Sequence, residues 1–229
     1  MSDLVLHYAP DNASLCIRLA LDAADASYGT QLVDRSAKAQ KSARYLAMNP
    51  NGLIPVLETS DGVLFETGAI LLWLSEQHPQ LLPFEGITRA SSLKWLFWIA
   101  NTLHPTLRML FYPEQYIAPQ QADLLSDTIR TRLITQLTIL DNELADASWI
   151  GGETQTILDC YLCPLLRWMQ LYPINAPQRP ILSDFPNLHR IAIKNEAHQS
   201  TLHAQNAEGL GDTPFSAPSY ANPPEGSAI

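Results

Sequence analysis

The chain has 229 residues, of which 46% are hydrophobic and 16% are charged, and its formal net charge at pH 7 is −9. The apolar content can fill the core of one large domain or two modest ones. The charged fraction lies below the roughly 25% typical of soluble proteins, which excludes a disordered or coiled-coil chain. The negative charge argues against nucleic-acid binding, which needs clustered Lys and Arg.

The arrangement of apolar residues and cysteines excludes further classes. The N-terminus lacks the basic and apolar regions of a signal peptide, and no apolar run approaches the roughly 18 residues of a membrane span. We therefore expect no membrane partner. Three cysteines predict reduced thiols and a cytoplasmic location. Cys160 and Cys163 form a C-x-x-C pair without the second pair that zinc usually needs, so we expect both to be buried and predict no metal site.

Residues 1–78 alternate between short strands and helices. Strands are predicted at 4–8, 31–33, 56–58 and 63–65, and helices at 14–26, 42–48 and 67–77. This βαβαββα order is typical of a thioredoxin-like α/β domain with a mixed sheet.

A linker rich in Pro and Gly is predicted at residues 79–89, and an all-α helical bundle domain at residues 90–204. Residues 90–110 have a helical pattern that is interrupted by Pro105. Because proline lacks the N–H that would bond four residues back, we expect a kink near Asn101.

The C-terminal half carries two more helix signals and a tail. One helix is expected from Pro119 to Leu144. A buried helix should follow Thr156, which forms with Asp159 a pattern that resembles a capping box. Residues 205–229 are rich in Pro, Gly, Ser and Ala, a composition typical of disorder. We predict that this tail lies along the surface of the protein itself or of a partner.

The strongest functional signal is the Ile54-Pro55 pair. A cis peptide bond before proline costs only about 0.5–1 kcal/mol, and here it would leave the Ile54 N–H and C=O outward, available to an extended peptide. Glu66 and Thr67 fall where a helix N-terminus, and therefore an anion site, is predicted. Together the two features predict a site for a small acidic peptide.

These residues belong to a longer pattern that resembles the glutathione S-transferase superfamily: Asn49-Pro50-x-Gly52-x-Ile54-Pro55-x-Leu57, then Glu66-Thr67-x-x-Ile70. The resemblance implies that glutathione is the ligand and that the protein is a symmetric homodimer. It also implies that Glu66 and Thr67 hold the γ-glutamyl end and that the Ile54 backbone pairs with the cysteinyl part. Arg35, together with Lys38 and Lys41, is a candidate for the glycyl carboxylate.

The stretch from Leu6 to Leu15 resembles the bacterial beta class, in which Cys-Ser follows the proline. Here Ala13 stands at the Cys position and Ser14 is kept. A hydroxyl donor and a helix N-terminus both favour a thiolate over a thiol of pKa about 8.5, so we expect Ser14 to activate glutathione. Ser14 as a simple helix cap, the Asn12 amide as donor, and Tyr8 at the strand end remain open alternatives.

The helical half supplies the second wall of the expected site. His104 aligns with a histidine near the beta-class active site, although Pro105 replaces the following lysine. Met109, Phe111, Tyr112 and Trp168 are candidates for the walls of an apolar pocket, and ordinary core packing is the alternative for residues at helical spacing. The expected reaction is attack of glutathione thiolate on a small hydrophobic electrophile. Glutathione-dependent peroxide or disulfide reduction, and a non-catalytic binding or dimerisation module, are the alternatives.

Overall fold

Four short strands form one mixed sheet. We describe a computed structural model of the chain, which covers residues 4–82, 88–147, 149–174, 176 and 178–228. The strands are β1 (Val5–Tyr8), β2 (Gly29–Leu32), β3 (Val56–Thr59) and β4 (Gly62–Phe65). Their order is β2-β1-β3-β4, with β1 parallel to β2 and the other pairs antiparallel. Strand β2 starts two residues earlier than predicted because Gly29 pairs with Val5 at the start of β1.

Three helices complete the thioredoxin-like half and confirm the βαβαββα order. They are α1 (Ser14–Ala23), α2 (Ala43–Met48) and α3 (Thr67–Gln77). Helix α1 is shorter than predicted because Asp25 takes a left-handed backbone with φ +51°. Helix α3 has the predicted bounds.

Six α-helices follow in the described part of the chain, and the fold is mostly helical. They are α4 (Arg89–Trp98), α5 (His104–Phe111), α6 (Ala122–Glu143), α7 (Ile157–Leu171), α8 (Pro186–Glu196) and α9 (Gln199–Glu208). Helix α4 begins one residue inside the expected linker, whose residues 83–87 lie outside the described part. Helix α9 ends at Glu208, so the tail starts later than the predicted residue 205.

The regular α-helical pattern is interrupted between α4 and α5, where the sequence predicts a kink. Residues Ile99–Leu103 form a wide π-type turn in the middle of the helical run. Pro105, one residue into α5, provides no N–H for the carbonyl of Asn101.

One apolar core joins the two halves. Helices α1 and α3 pack against α7, and Leu15, Leu71 and Leu162 are fully buried in the same cluster. Within the described residues, no helix is long and apolar enough to cross a membrane.

The capping box at the start of α7 is confirmed. The Thr156 hydroxyl accepts from the Asp159 N–H at 3.4 Å, and Asp159 Oδ2 accepts from the Thr156 N–H at 3.0 Å. Asp159 is fully buried and also accepts from the Gly151 N–H and from Asn195 Nδ2. This carboxylate therefore connects the start of α7 to the preceding loop and to α8.

The C-terminal tail lies on the protein's own surface, one of the two predicted alternatives. Gly209 turns the chain with φ +63°, and a Cβ there would lie 2.0 Å from the Asn222 carbonyl oxygen, so only glycine fits. The tail then doubles back, with the Asn222 N–H donating to the Gly209 carbonyl at 2.9 Å. Phe215 is fully buried, which anchors the segment.

Candidate functional site

A cleft of about 1250 Å³ lies between the thioredoxin-like half and the helical half. One wall comes from the loop before α1, the loop before β3 and the start of α3. The other wall comes from α4, α5 and α7. Seven of the nine predicted site residues line the cleft: Asn12, Arg35, Ile54, Pro55, Glu66, Thr67 and His104. Ser14 and Tyr8 are not among the residues that line it.

The Ile54–Pro55 segment forms a backbone edge of the cleft. The peptide bond is cis, as predicted. Tyr45 Oη and Asn49 Nδ2 both donate to the Leu53 carbonyl, at 3.0 and 2.8 Å, and so hold the preceding turn. Among the described residues, nothing pairs with the Ile54 N–H or C=O. These two groups are thus available to a peptide ligand.

The N-terminus of α3 forms the second polar feature of this wall. Glu66 precedes the helix with a φ of +74° and an exposed side chain that makes no cap hydrogen bond. Thr67, Gly68 and Ala69 line the cleft with the first helical N–H groups, and within the described chain the Thr67 hydroxyl has no partner. Because unpaired N–H groups and the helix dipole both favour negative charge, this end can receive a carboxylate.

Ser14 lies away from the cleft, which argues against its expected role. It is the first residue of α1 and is fully buried. Its hydroxyl donates to the Ala9 carbonyl at 3.1 Å and accepts from the Ala9 N–H at 3.3 Å. The hydroxyl proton is therefore already used, and Ser14 ties the strand end to the helix start.

Tyr8 is also turned into the protein. Its hydroxyl donates to Glu225 of the tail, and the Arg18 guanidinium lies 4.6 Å from its ring centroid. Burial, followed by the Glu225 carboxylate, raises the pKa of Tyr8 well above its usual range. A buried phenol with this partner supports structure rather than contact with a ligand.

Asn12, in the loop before α1, lines the cleft together with Asp11 and Ala13. Its Oδ1 accepts from the Ala13 N–H at 2.9 Å, which fixes the amide, and among the described residues Nδ2 has no acceptor. Ala13 also lines the cleft, so the position that resembles a cysteine site offers no thiol. The N-terminus of α1 directly follows, and its dipole favours a thiolate beside Asn12.

Asp11, which sequence reasoning missed, anchors this loop from beneath. It has a φ of +50° and is 4% exposed. Its carboxylate accepts from Arg167 Nε and Nη2 at 2.8 and 3.0 Å, from Trp168 Nε1 at 2.7 Å and from Tyr172 Oη at 3.0 Å. Arg167 is the one cation of α7, whose sequence is otherwise largely apolar, and this was the available signal, because a buried arginine requires a carboxylate partner.

The tail completes the same network. Arg167 is fully buried and donates to the carbonyls of Leu210, Pro214 and Ser219 at 2.9–3.1 Å. Glu208, at the end of α9, accepts from the Asp11 N–H at 2.8 Å. The position of the loop that presents Asn12 therefore depends on residues about 160–200 positions later in the chain.

His104 lies on the helical wall as a neutral ring. Its Nδ1 is 3.0 Å from Tyr161 Oη, and its ring packs beside Trp168 with centroids 6.1 Å apart. Desolvation, and then the positive charge of Arg108, lower the pKa of His104 to about 4. Phe111, Tyr112 and Trp168 line the cleft as expected, whereas Met109 does not.

Arg35 reaches both the cleft and the tail. Its Nη1 donates to the Ala228 carbonyl at 2.5 Å, and both residues line the cleft. Lys41 lines the same region, and its Nζ donates to the Asn51 carbonyl at 3.2 Å. Lys38 does not line it. Arg35 and Lys41 thus provide two cations on the wall of the cleft that contains Ile54.

All three cysteines are buried away from the cleft. Cys160 and Cys163 are fully buried, as predicted, and so is Cys16. Burial raises the pKa of each thiol well above its usual value, so none is a ready nucleophile. In the described ranges, no three His, Cys, Asp or Glu side chains are grouped as metal ligands.

Comparisons with known proteins agree with this architecture. The glutathione S-transferase N-terminal domain model matches residues 3–76, and the C-terminal domain model matches residues 95–191. Glutathione S-transferase GstA of Escherichia coli O157:H7 is 31% identical over 210 residues, which cover 90% of this chain and 98% of that protein. Disulfide-bond oxidoreductase YfcG of Escherichia coli K12 is 30% identical over 219 residues, with coverages of 91% and 99%. A sphingomonad glutathione S-transferase solved with glutathione has a TM-score of 0.73 and 28% identity, and the match covers 90% of this chain and all of that one.

Proposed function

The chain belongs to the glutathione S-transferase family, and we propose that it binds glutathione and activates the glutathione thiol for attack on a second substrate. The observation that carries the proposal lies just before α1: Asn12 lines the cleft, and its Nδ2 is unpaired among the described residues. The sphingomonad relative, solved with glutathione, supports the ligand.

Glutathione would lie along the Ile54 edge. The Ile54 N–H and C=O would pair with the cysteinyl part in the manner of an added strand. The γ-glutamyl carboxylate would meet the N-terminus of α3 at Thr67, and its ammonium group would meet Glu66. The glycyl carboxylate would be held by Arg35, with Lys41 close by.

This placement brings the sulfur towards Asn12. The amide Nδ2–H would donate to the sulfur and favour the thiolate, as would the dipole of α1. Lowering a thiol pKa by about two units needs only about 2.7 kcal/mol of differential stabilisation. With Ala13 at the position of the beta-class cysteine, the reacting sulfur would be that of glutathione itself.

Disulfide reduction is a second candidate, favoured by the 30% identity to YfcG. The bound thiolate would attack a disulfide RS–SR and form a glutathione–SR disulfide, while RS⁻ leaves with the electron pair. A second glutathione thiolate would then release the other RS⁻ and form glutathione disulfide. Both functions use the same activated sulfur.

The family and the three buried thiols also support a symmetric homodimer in the cytoplasm. Sedimentation measures the oligomeric state directly. A monomer at micromolar concentration would contradict the proposed dimer and would leave the proposed glutathione site unaffected.

Asn12→Ala and Ser14→Ala provide the matched test of mechanism. We expect Asn12→Ala to retain glutathione binding by calorimetry and to lower kcat/KM with 1-chloro-2,4-dinitrobenzene at least about tenfold. Ser14→Ala should mainly lower stability, because its hydroxyl serves Ala9. Loss of turnover only in a folded Ser14→Ala variant would overturn the assignment of Asn12. A wild-type protein that binds glutathione but turns over neither this substrate nor a disulfide would favour the non-catalytic alternative.

A further inference from the structure

Arg108 is a cation on the helical wall that no carboxylate neutralises among the described residues. It belongs to α5, lines the cleft and is half-buried. Its Nη2 donates to Gln115 Oε1 at 2.8 Å, and its guanidinium carbon lies 5.5 Å from the Tyr112 ring centroid. None of the ion pairs in the described part of the chain includes Arg108. The two neutral partners orient the guanidinium and leave its charge uncompensated.

The whole cleft carries an excess of positive charge on an acidic protein. Arg35, Lys41 and Arg108 line it, and among the described lining residues the acids are Asp11 and Glu66. Asp11 is already paired with the buried Arg167. Within the described lining, Glu66 is therefore the one carboxylate outside an ion pair, against three cations.

Arg108 stands on the wall opposite the glutathione edge. Arg35 and Lys41 lie near the Ile54 edge, where the proposed function uses them for the glycyl carboxylate. Arg108 lies instead with the aromatic side chains of the helical wall, which include Phe111 and Trp168. A glutathione held on the Ile54 edge therefore leaves Arg108 to the second substrate.

Arg108 also acts on His104, which lines the same cleft. After desolvation, its charge is the second cause that lowers the pKa of His104, one turn earlier on the same helix. His104 is consequently neutral at neutral pH and does not compete for an anion. No acidic side chain of the helical wall lines the cleft among the described residues.

From this arrangement we infer that Arg108 selects a second substrate with a carboxylate, or an equivalent anionic group, attached to a flat apolar body. The inference rests on the proposed function and adds an anionic group to the small hydrophobic electrophile that the sequence leads us to expect. Aromatic faces would hold the apolar body, and the guanidinium would take the anion through charge-assisted hydrogen bonds.

A pair of near-isosteric electrophiles tests the inference. With 4-(chloromethyl)benzoate and 4-(chloromethyl)benzamide, glutathione thiolate attacks the benzylic carbon, the C–S bond forms, and chloride leaves with the electron pair of the C–Cl bond. The proton of the thiol goes to water. Each kcat/KM is divided by the uncatalysed rate constant of the same electrophile, so that intrinsic reactivity cancels. We expect wild type to prefer the carboxylate about tenfold.

Three variants assign the preference to Arg108. Arg108→Gln should reduce the carboxylate-to-amide ratio to about one, whereas Arg108→Lys should keep part of it because the charge remains. Lys94→Gln is the matched control, because Lys94 is an exposed cation of α4 that does not line the cleft. Its ratio should equal that of wild type. Raising the salt concentration should lower the wild-type ratio and leave that of Arg108→Gln unchanged.

Binding of the two reaction products, the glutathione thioethers with a 4-carboxybenzyl or a 4-carbamoylbenzyl group, gives a readout without turnover. Calorimetry should show tighter binding of the carboxylate product to wild type, and equal binding of both to Arg108→Gln. A wild-type ratio near one, or a preference that persists in Arg108→Gln, would overturn the inference while leaving glutathione binding intact. Absence of glutathione binding would instead overturn the proposed function and this inference with it.

Discussion

Replacing Asp11 by Asn removes a buried charge while keeping the side-chain shape. The carboxylate accepts four hydrogen bonds, from two nitrogens of Arg167, from Trp168 Nε1 and from Tyr172 Oη. An amide keeps one acceptor oxygen and turns an NH₂ group towards donors. It also leaves the fully buried Arg167 guanidinium without its counter-ion.

Removing one partner of a buried ion pair typically costs about 3–5 kcal/mol. A domain is usually stable by only about 5–15 kcal/mol, so Asp11→Asn should lose a large part of the unfolding free energy. Urea unfolding followed by tryptophan fluorescence measures this loss. The double variant Asp11→Asn/Arg167→Met should lose at least about 2 kcal/mol less than the sum of the single variants, because it removes both charges.

An exposed pair provides the control. Arg89 lies 3.5 Å from Glu76, with both side chains more than half exposed, so Arg89→Gln should change stability by less than about 0.5 kcal/mol. If Asp11→Asn stayed within about 1 kcal/mol of wild type, or if the two single losses simply added, the argument from the buried pair would be wrong.

Three other changes have expected outcomes of the same kind. Asp159→Ala should cost at least about 2 kcal/mol, because it leaves several buried donors without an acceptor. By NMR, His104 should titrate near pH 4, and Arg108→Gln should raise that pKa. Removing residues 210–229 should lower the unfolding midpoint, because Arg167 loses three carbonyl acceptors.

The lowered pKa of His104 also determines how this residue contributes to the pH dependence of folding stability. The unfolded ring, with a pKa of about 6.5, binds protons that the folded ring refuses, so this contribution is complete above pH 6.5 and is lost as the pH falls towards 4. A titration midpoint of His104 near pH 6.5 in the folded protein would contradict this expectation. An Asp159→Ala variant as stable as wild type, or a truncated chain with an unchanged midpoint, would contradict the other two expectations.

Local signals were enough for much of the fold and for one wall of the cleft. The bounds of α3, the Thr156–Asp159 cap and the cis bond before Pro55 each depend on neighbouring residues, and each is visible in the sequence. The pattern that resembles glutathione S-transferases covers the same wall, and its residues alone are enough to indicate the family.

The direction of side chains at the start of α1 could not be predicted in this way. Asp11, just before Asn12 and Ser14, has a left-handed backbone, and its carboxylate accepts a hydrogen bond from Arg167, 156 positions later. Local motifs contain no information on such a contact. The isolation of Arg108 from carboxylates is likewise a property of several elements brought together, and no spacing in the sequence reports it.

The central claim is that the cleft lowers the thiol pKa of bound glutathione through Asn12. Thiolate absorbance of the saturated complex, recorded against pH, measures this pKa directly. We expect a midpoint about one to two units below the reference of about 8.5 in wild type, and a midpoint at or above the reference in Asn12→Asp, which keeps the size but loses the donor and adds a negative charge. If glutathione binds and its thiol titrates in wild type as it does in water, the proposed mechanism is wrong.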